Sequence, residues 1–251
     1  MRTPFLALLL PVLTTALSAA PVSRDVPEDH REVYIYNGRR SSNLIALTFD
    51  DGPHQSRTPA LLQTLDELDC PATFFVLGQM TQGNPRTTQA LLASDHEIGN
   101  HTMSHANLRR VEADAMRSQI GDLQSHLASL GSTPRVFRPP YGSSNRGVVE
   151  YAYGELGMDV VMWSLDTEDW RTETTAQAII DRILDETRGG EIILMHDIHS
   201  KAVPVTRAIV PALRERGFEF VNVSQMIEDM RAHPDPEPGD TAAPTSATSS
   251  D

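Results

Sequence analysis

The sequence predicts an α/β fold in which parallel strands alternate with helices and close into a barrel of seven or eight β/α units. Short apolar runs of strand length, such as Leu44–Phe49 and Glu191–Met195, alternate along the chain with longer amphipathic stretches such as Glu112–Leu130. Alternation of this kind indicates a parallel sheet with helical crossovers. Seven or eight such units within 251 residues favour a barrel over an open sheet.

The predicted elements follow one another without an internal sequence repeat. Strands are predicted at Leu44–Phe49, Ala72–Leu77, His96–Gly99, Val136–Phe137, Val160–Ser164, Glu191–Met195 and Glu219–Val223. Helices are predicted at Thr58–Leu68, Thr87–Ser94, Glu112–Leu130, Gly147–Leu156, Thr175–Thr187, Thr206–Arg216 and Ser224–Arg231. The carboxyl ends of parallel barrel strands lie at one end of the barrel, so polar residues that follow the strands are expected to meet there.

The N-terminus has the three-part pattern of a secretory signal peptide over residues 1–20. Arg2 supplies the positive start, Phe5–Leu17 is mostly apolar, and Ser18–Ala20 offers small residues for cleavage. The apolar run is shorter than the about 20 residues of a membrane span. We therefore expect cleavage after Ala20, a secreted or periplasmic protein, and no stable membrane span after cleavage. An uncleaved N-terminal anchor is the alternative.

The rest of the chain divides by composition into three parts. Residues 21–40 are polar and predict a linker, and residues 41–232 contain all the predicted strands and helices. Residues 233–251 are rich in Pro, Asp, Thr, Ala and Ser, a composition that buries no core. This last segment is predicted to be a disordered tail.

Charge and cysteine content exclude several classes of protein. The formal net charge is −13 at pH 7 and no basic run occurs, so we expect no nucleic-acid partner. Cys70 is the only cysteine, so the chain has no internal disulfide and its core must hold the fold alone. Its position before an apolar run predicts a small buried thiol rather than a nucleophile. We expect a monomer.

Two polar clusters at predicted strand ends together form a set of metal-ligand types. Asp50 and Asp51 end the first strand, and the turn residues Gly52-Pro53 would let both carboxylates point to one site. His101 and His105 are four apart, which on a helical turn places both on one face. With Asp51 they make a two-histidine, one-carboxylate set that suits zinc or iron(II). The alternatives are a solvated turn and two unrelated surface histidines.

Three further clusters also follow predicted strands. Phe137–Gly142 contains two prolines and a glycine, which would fix a rigid loop around Arg138 and Tyr141; taken in isolation, the stretch favours a structural loop with an ordinary salt bridge. In Trp163–Trp170 the two tryptophans of the chain bracket two aspartates, and a tryptophan at a strand end serves as a sugar platform or as core. His196 lies just past a buried strand, where it is a general-acid candidate or a core histidine.

Taken together, these five clusters resemble the motifs of the polysaccharide deacetylases of carbohydrate esterase family 4. The resemblance covers about Asn43 to Met230 and implies a distorted (β/α) barrel. It implies that Asp51, His101 and His105 hold one divalent metal, with zinc the first candidate. It also implies that Asp50 is the general base and that Arg138 orients it.

The same resemblance implies the remaining roles in the site. His196 resembles the general acid and Asp166 its carboxylate partner. Tyr141 resembles the residue whose backbone N–H binds the oxyanion. Trp170 and Leu194 resemble the walls of the acetyl pocket. His199 matches no catalytic role.

The function implied is that of an exported metal-dependent hydrolase that removes N-acetyl groups from a polysaccharide containing N-acetylglucosamine and releases acetate. Peptidoglycan, chitin oligomers and poly-N-acetylglucosamine all remain open as the acetylated glycan substrate. Two alternatives also remain open: an acetylxylan esterase, which would remove O-acetyl groups, and a non-catalytic glycan-binding relative.

Overall fold

The computed structural model describes residues 23–234, and within that range nine strands form one sheet. The strands are β1 (Tyr34–Ile35), β2 (Leu44–Asp50), β3 (Thr73–Val76), β4 (Glu97–Asn100), β5 (Val136–Phe137), β6 (Asp159–Val161), β7 (Leu165–Asp166), β8 (Ile192–His196) and β9 (Glu219–Phe220). Their order is β1-β6-β5-β4-β3-β2-β8-β7, with β9 pairing on β2, and every pairing is parallel. The predicted fold class is therefore confirmed.

Eight helices pack around this sheet in the described residues, and the last of them contributes Val223, Met226 and Ile227 to the cluster inside the barrel. They are α1 (Arg57–Glu67), α2 (Gly78–Gly83), α3 (Pro85–Leu92), α4 (Ala113–Ser129), α5 (Arg146–Val149), α6 (Ala176–Glu186), α7 (Ala202–Glu215) and α8 (Val223–Ala232). Short 3-10 turns lie at His30–Val33 and Pro140–Gly142, and α5 continues as a π-helix over Glu150–Glu155. No helix in residues 23–234 is long and apolar enough to cross a membrane.

The barrel is distorted because its sheet does not close through hydrogen bonds. The path of paired strands ends at β1 and β7, and the short stretch 162–164 carries the chain from β6, next to β1, across to β7. Four residues from Val161 to Leu165 span at most about 14 Å, so the sheet must curl until its two ends nearly meet. The predicted strand Val160–Ser164 is thus wrong in extent: it ends at Val161, and β7 is a separate strand.

The two faces of β2 show how the sheet separates core from site. Ile45, Leu47 and Phe49 point outward into the main apolar cluster beneath the helices. Ala46 packs in the cluster inside the barrel, and the period of two places Thr48 and Asp50 on that same inner face. Inner-face residues near the ends of strands therefore point into the open end of the barrel.

The predicted linker at residues 21–40 is wrong for its described part. Tyr34 and Ile35 pair with β6, and the Gly38 N–H donates to the Gly190 carbonyl at 2.7 Å. Arg24 forms an ion pair with the buried carboxylate of Asp159. Hydrogen bonds and ion pairs hold this polar segment on the domain. Because such contacts leave no apolar periodicity, the sequence pattern did not predict them.

The predicted signal peptide and all but the first two residues of the predicted tail lie outside the described residues. Cys70 is a buried free thiol, as the sequence predicted.

Candidate active site

A cleft of about 440 Å³ opens at the carboxyl ends of the strands. Asp50 is the last residue of β2, His196 the last of β8, and His101 directly follows β4. The predicted residues that line the cleft are Asp50, Asp51, His101, His105, Tyr141, Asp166, Trp170, Leu194 and His196. Arg138 lies behind the cleft wall and is fully buried. The structure thus brings all ten predicted site residues to one place.

Asp51, His101 and His105 converge with their side-chain ends close together. Asp51 Oδ1 lies 3.6 Å from His101 Nε2 and 3.4 Å from His105 Nε2. The predicted helical turn is wrong: His105 has a φ of +59° and lies in an irregular loop, and Asp51 has a φ of +74°. A non-glycine residue in this region costs about 1–3 kcal/mol, and such strain concentrates at functional sites.

The geometry of this group fits a single metal ion. Ligands at about 2.0–2.1 Å from a tetrahedral ion lie roughly 3.3 Å apart, close to the separations found here. Asp51 Oδ1 is buried and has no hydrogen-bond partner among the described residues, as expected of an atom that faces a cation. These are also the only three residues in the described range whose ligand atoms cluster in this way.

His101 is held ready to act as a neutral ligand. Its Nδ1 lies 2.7 Å from the Arg138 carbonyl, which fixes the ring and leaves Nε2 facing Asp51. Burial lowers the pKa of His101 to about 3. Its imidazole is therefore uncharged at neutral pH, the form that binds metals.

Asp50 and Arg138 form a buried ion pair under the floor of the cleft. Arg138 Nη1 donates to Asp50 Oδ1 at 2.7 Å and to Thr48 Oγ1 at 2.9 Å, while Nη2 donates to the Met162 carbonyl at 2.9 Å. Its guanidinium lies over the ring of Phe75. Burial raises the pKa of the Asp50 carboxyl, and the Arg138 charge opposes this shift. These contacts hold Oδ1 in place and leave Oδ2 directed toward His101, 3.7 Å from its Nε2.

The carboxylate partner of His196 is Asp169, so the prediction of Asp166 is wrong. Asp169 Oδ1 lies 2.7 Å from His196 Nδ1, and Asp169 Oδ2 accepts from the His196 backbone N–H at 2.8 Å. Burial lowers the pKa of His196, but the hydrogen bond and charge of Asp169 outweigh burial and raise that pKa to about 9. His196 is therefore an imidazolium at neutral pH.

Asp166 takes a different place. Its carboxylate lines the cleft and accepts from the Glu168 N–H at 2.8 Å, which forms a local turn. Both aspartates lie in the cluster that the sequence singled out, and the spacing of the cluster gave no means of choosing between them. The loop after β7 passes through Glu168, whose φ is +52°, and Asp169 beyond it meets His196 on β8.

Three residues form the rim and wall of the cleft. Trp170 is 51% exposed, and Leu194 is buried on β8. Tyr141 has a φ of +60° and is 67% exposed, and its ring packs edge-on against His105 with 4.4 Å between centroids. The left-handed backbone at Tyr141 turns the chain over the Asp51–His101–His105 group.

Sequence reasoning also missed Asp197, a buried carboxyl group beside the Asp51 turn. Thr58 donates to its Oδ2, and a Cβ at Gly52 would lie only 2.1 Å from that oxygen, so glycine is required there. Burial raises the pKa of Asp197 to about 7. The signal available in the sequence was only its position after His196.

The fold and the arrangement of this cleft define a (β/α)-barrel protein of the polysaccharide deacetylase class. The model of the family described as Polysaccharide deacetylase matches residues 37–161. PdaC of Bacillus subtilis, named a peptidoglycan-N-acetylmuramic acid deacetylase, is 36% identical over 189 residues. That match covers 75% of this chain and 39% of PdaC, so the chain spans about two fifths of that relative's length.

Solved structures agree with this match. The Bc1960 peptidoglycan N-acetylglucosamine deacetylase superposes with a TM-score of 0.74 and 34% identity, covering 77% of this chain and 92% of that one. BA3943 of Bacillus anthracis, described as a CE4 family pseudoenzyme, gives a TM-score of 0.73 at 26% identity and covers 77% of this chain and 68% of its own. The chain belongs to the polysaccharide deacetylase family. Because that family contains a pseudoenzyme, the side chains in the cleft must decide the activity.

Proposed function

We propose that this chain is an exported, metal-dependent deacetylase that hydrolyses the N-acetyl groups of a polysaccharide containing N-acetylglucosamine, with peptidoglycan as the first candidate. One observation carries the proposal. Asp50 and His196, at the ends of adjacent strands, lie beside the Asp51–His101–His105 group in one cleft. A non-catalytic glycan binder has no need of this combination of base, acid and ligands.

Asp51, His101 and His105 would hold the metal ion, which would act as a Lewis acid toward the acetyl carbonyl and the attacking water. The donor set suits zinc first, and iron(II) is the other ion that it fits. The buried, unpaired Asp51 Oδ1 and the neutral His101 support this assignment.

Asp50 is proposed as the general base. Its Oδ1 is occupied by Arg138, so Oδ2 is the atom that takes the proton from the attacking water. Arg138 has its own hydrogen bonds to Thr48 and Met162, so it holds Asp50 in one orientation throughout the reaction. A fixed base avoids the reorganisation that a mobile side chain would need.

His196 is proposed as the general acid. Nδ1 is bonded to Asp169, so Nε2 carries the proton that passes to the amide nitrogen as the C–N bond breaks. An amine leaves only when it is protonated, and a pKa of about 9 keeps His196 protonated at neutral pH. The products are acetate and a free amino sugar.

Tyr141, Trp170 and Leu194 are proposed to hold the acetyl group. The Tyr141 backbone N–H would donate to the developing oxyanion, the usual role of a fixed main-chain donor in acyl transfer. Trp170 and Leu194 line the same cleft and would enclose the acetyl methyl group.

Acetate release from a panel of glycans tests the proposed activity. The panel contains peptidoglycan, chitin oligomers, poly-N-acetylglucosamine and acetylated xylan, each with and without added zinc, and Asp50→Asn serves as the inactive control. Acetate from an N-acetylated glycan is the expected result. Release from acetylated xylan alone would identify an O-deacetylase, and glycan binding without any acetate would identify a non-catalytic relative.

Metal dependence is tested by elemental analysis of His105→Ala. This variant should lose both bound metal and activity, because the ion keeps only two protein ligands. His233→Ala is the control, since His233 is exposed at the end of α8 and should keep full occupancy. Full metal occupancy in His105→Ala would count against the ligand assignment.

Export and oligomeric state are separate parts of the proposal. N-terminal sequencing of the protein outside the cytoplasm should find a chain that begins just after Ala20, and a chain that still begins at Met1 would contradict cleavage. Sedimentation analysis should give the mass of a monomer.

A further inference from the structure

Lys201 is the only lysine in the 251-residue sequence. It immediately precedes α7. Its Nζ donates to the Asp169 carbonyl at 2.9 Å and to the Arg171 carbonyl at 2.6 Å. These two carbonyls lie on either side of Trp170, so one ammonium group holds the backbone of both of its neighbours.

The segment that Lys201 holds carries two groups of the proposed site. Asp169, which is 1% exposed, gives both carboxylate oxygens to His196. Trp170 lines the cleft, and the Arg171 guanidinium lies 5.0 Å from the centre of its ring. A shift of this segment would therefore move the partner of His196 and the cleft wall together.

Few other hydrogen bonds from the described residues hold this segment. Thr167 is bonded to the Leu194 carbonyl through its hydroxyl at 2.8 Å, which fixes the start of the loop after β7. Within the loop, the Arg171 N–H donates to the Glu168 carbonyl at 3.1 Å, which is a local bond. Among the described residues, the hydrogen bonds that join Asp169–Arg171 to other elements are those with His196 and Lys201.

We infer that Lys201 is a positioning residue of this deacetylase: it clamps the backbone of Asp169–Arg171 so that Asp169 meets His196 and Trp170 closes the cleft. This inference deepens the proposed function and rests on it. An ammonium group suits the task because its donors are directed tetrahedrally and reach two converging carbonyls at once. An apolar side chain of equal length would leave the part-buried Asp169 carbonyl without this donor and the exposed Arg171 carbonyl with only the local Thr174 N–H.

The test compares Lys201→Met and Lys201→Arg with Arg214→Met. Arg214 also lies on α7 and donates to two backbone carbonyls, those of Leu68 at 2.5 Å and Asp69 at 2.6 Å, but it is not among the residues that line the cleft. It therefore controls for the general loss of a cation that binds two carbonyls.

Lys201→Met should keep its metal and lower kcat by roughly 10- to 100-fold, up to the effect that a displacement of about 1 Å can have. Lys201→Arg should retain most of the turnover because it still has donors, and Arg214→Met should keep wild-type kcat. Wild-type kcat in Lys201→Met, or equal losses in the Met and Arg variants, would overturn the inference.

Two readouts do not require activity, so they separate this inference from the proposed function. In a Trp163→Phe background Trp170 is the only tryptophan, and Lys201→Met should make its fluorescence more accessible to acrylamide. The same variant should lower the pKa of His196 measured by NMR, because Asp169 moves away while Asp50, Asp51 and His199 still face that ring. Unchanged quenching and an unchanged His196 titration would show that Lys201 acts only on stability.

Discussion

Asp50 and His196 are register partners on the adjacent parallel strands β2 and β8, so the sheet itself places the proposed base and acid side by side. Each is the final residue of its strand, and both point into the cleft. The distance between them is therefore set by strand spacing, about 4.8 Å between backbones, rather than by flexible loops. A scaffold of this rigidity is suited to groups that must act on one small acetamide.

The neighbours Asp50 and Asp51 should respond differently to the same substitution. Asp50→Asn should keep bound metal and lower kcat by roughly 10²–10⁴-fold, because the amide still accepts from Arg138 but takes no proton from water. Asp51→Asn should lose metal as well as activity, because it removes the charged ligand. Elemental analysis and kcat on both variants check this. Loss of metal in Asp50→Asn would show that Asp50 is itself a ligand.

His196→Ala should leave metal binding intact and lower amide hydrolysis by roughly 10²–10⁴-fold. An ester with a good leaving group needs less protonation, so its hydrolysis should suffer less from the same change. Melting temperature, metal content and kcat on the one variant separate an acid from a core histidine and from a fourth ligand. A folded, metal-replete His196→Ala with near-wild-type amide hydrolysis would refute the acid role.

Asp169→Asn should move the alkaline limb of the pH–rate profile to lower pH. The general acid works only while protonated, so wild-type activity should fall as pH rises through the His196 pKa of about 9. Without the Asp169 charge this pKa falls, because burial of the ring then dominates. Asp166→Asn is the matched control, and the alkaline limb of its pH–rate profile should stay at the wild-type position. A shift in the Asp166 variant alone would restore the assignment made from sequence.

The same raised pKa links pH to stability. A histidine whose pKa is higher in the folded state than the usual 6.5 makes its full contribution to the free energy of unfolding below about pH 6.5. This contribution is lost as the pH rises through about 9. Asp169→Asn should therefore lower the free energy of unfolding more at neutral pH than above pH 9. Denaturant melts at several pH values measure the difference.

Arg138→Met should destabilise the fold by about 3–5 kcal/mol, because it leaves the buried Asp50 carboxylate without its cation. The pKa of Asp50 should rise further, so the acid limb of the pH–rate profile moves to higher pH. Arg117→Met is the control: it breaks an exposed pair with Glu155 and should change neither property measurably. If Arg138→Met has the same denaturant midpoint as the wild type, this account is contradicted.

The sequence by itself determined the fold class and which residues to seek in the candidate site. Apolar runs separated by amphipathic stretches define parallel β/α units, and the strand-end positions of Asp50, Arg138 and His196 follow from the local pattern. That the side chains of Asp51, His101 and His105 are of types that bind metals is likewise read directly from the sequence. These features are readable because strand and helix periodicity depends on residues close together in the chain.

Only the tertiary structure decided which carboxylate meets His196, how the two histidines converge, and whether residues 34–35 belong to the sheet. Asp169 rather than Asp166 is the partner because the loop after β7, which includes Glu168 with its positive φ, carries the Asp169 carboxylate to His196 on β8. His101 and His105 meet through an irregular loop, and β1 is held by pairing with β6, which is more than 120 residues away in sequence. Each of these depends on contacts between distant segments, and such contacts leave no periodic pattern in the sequence.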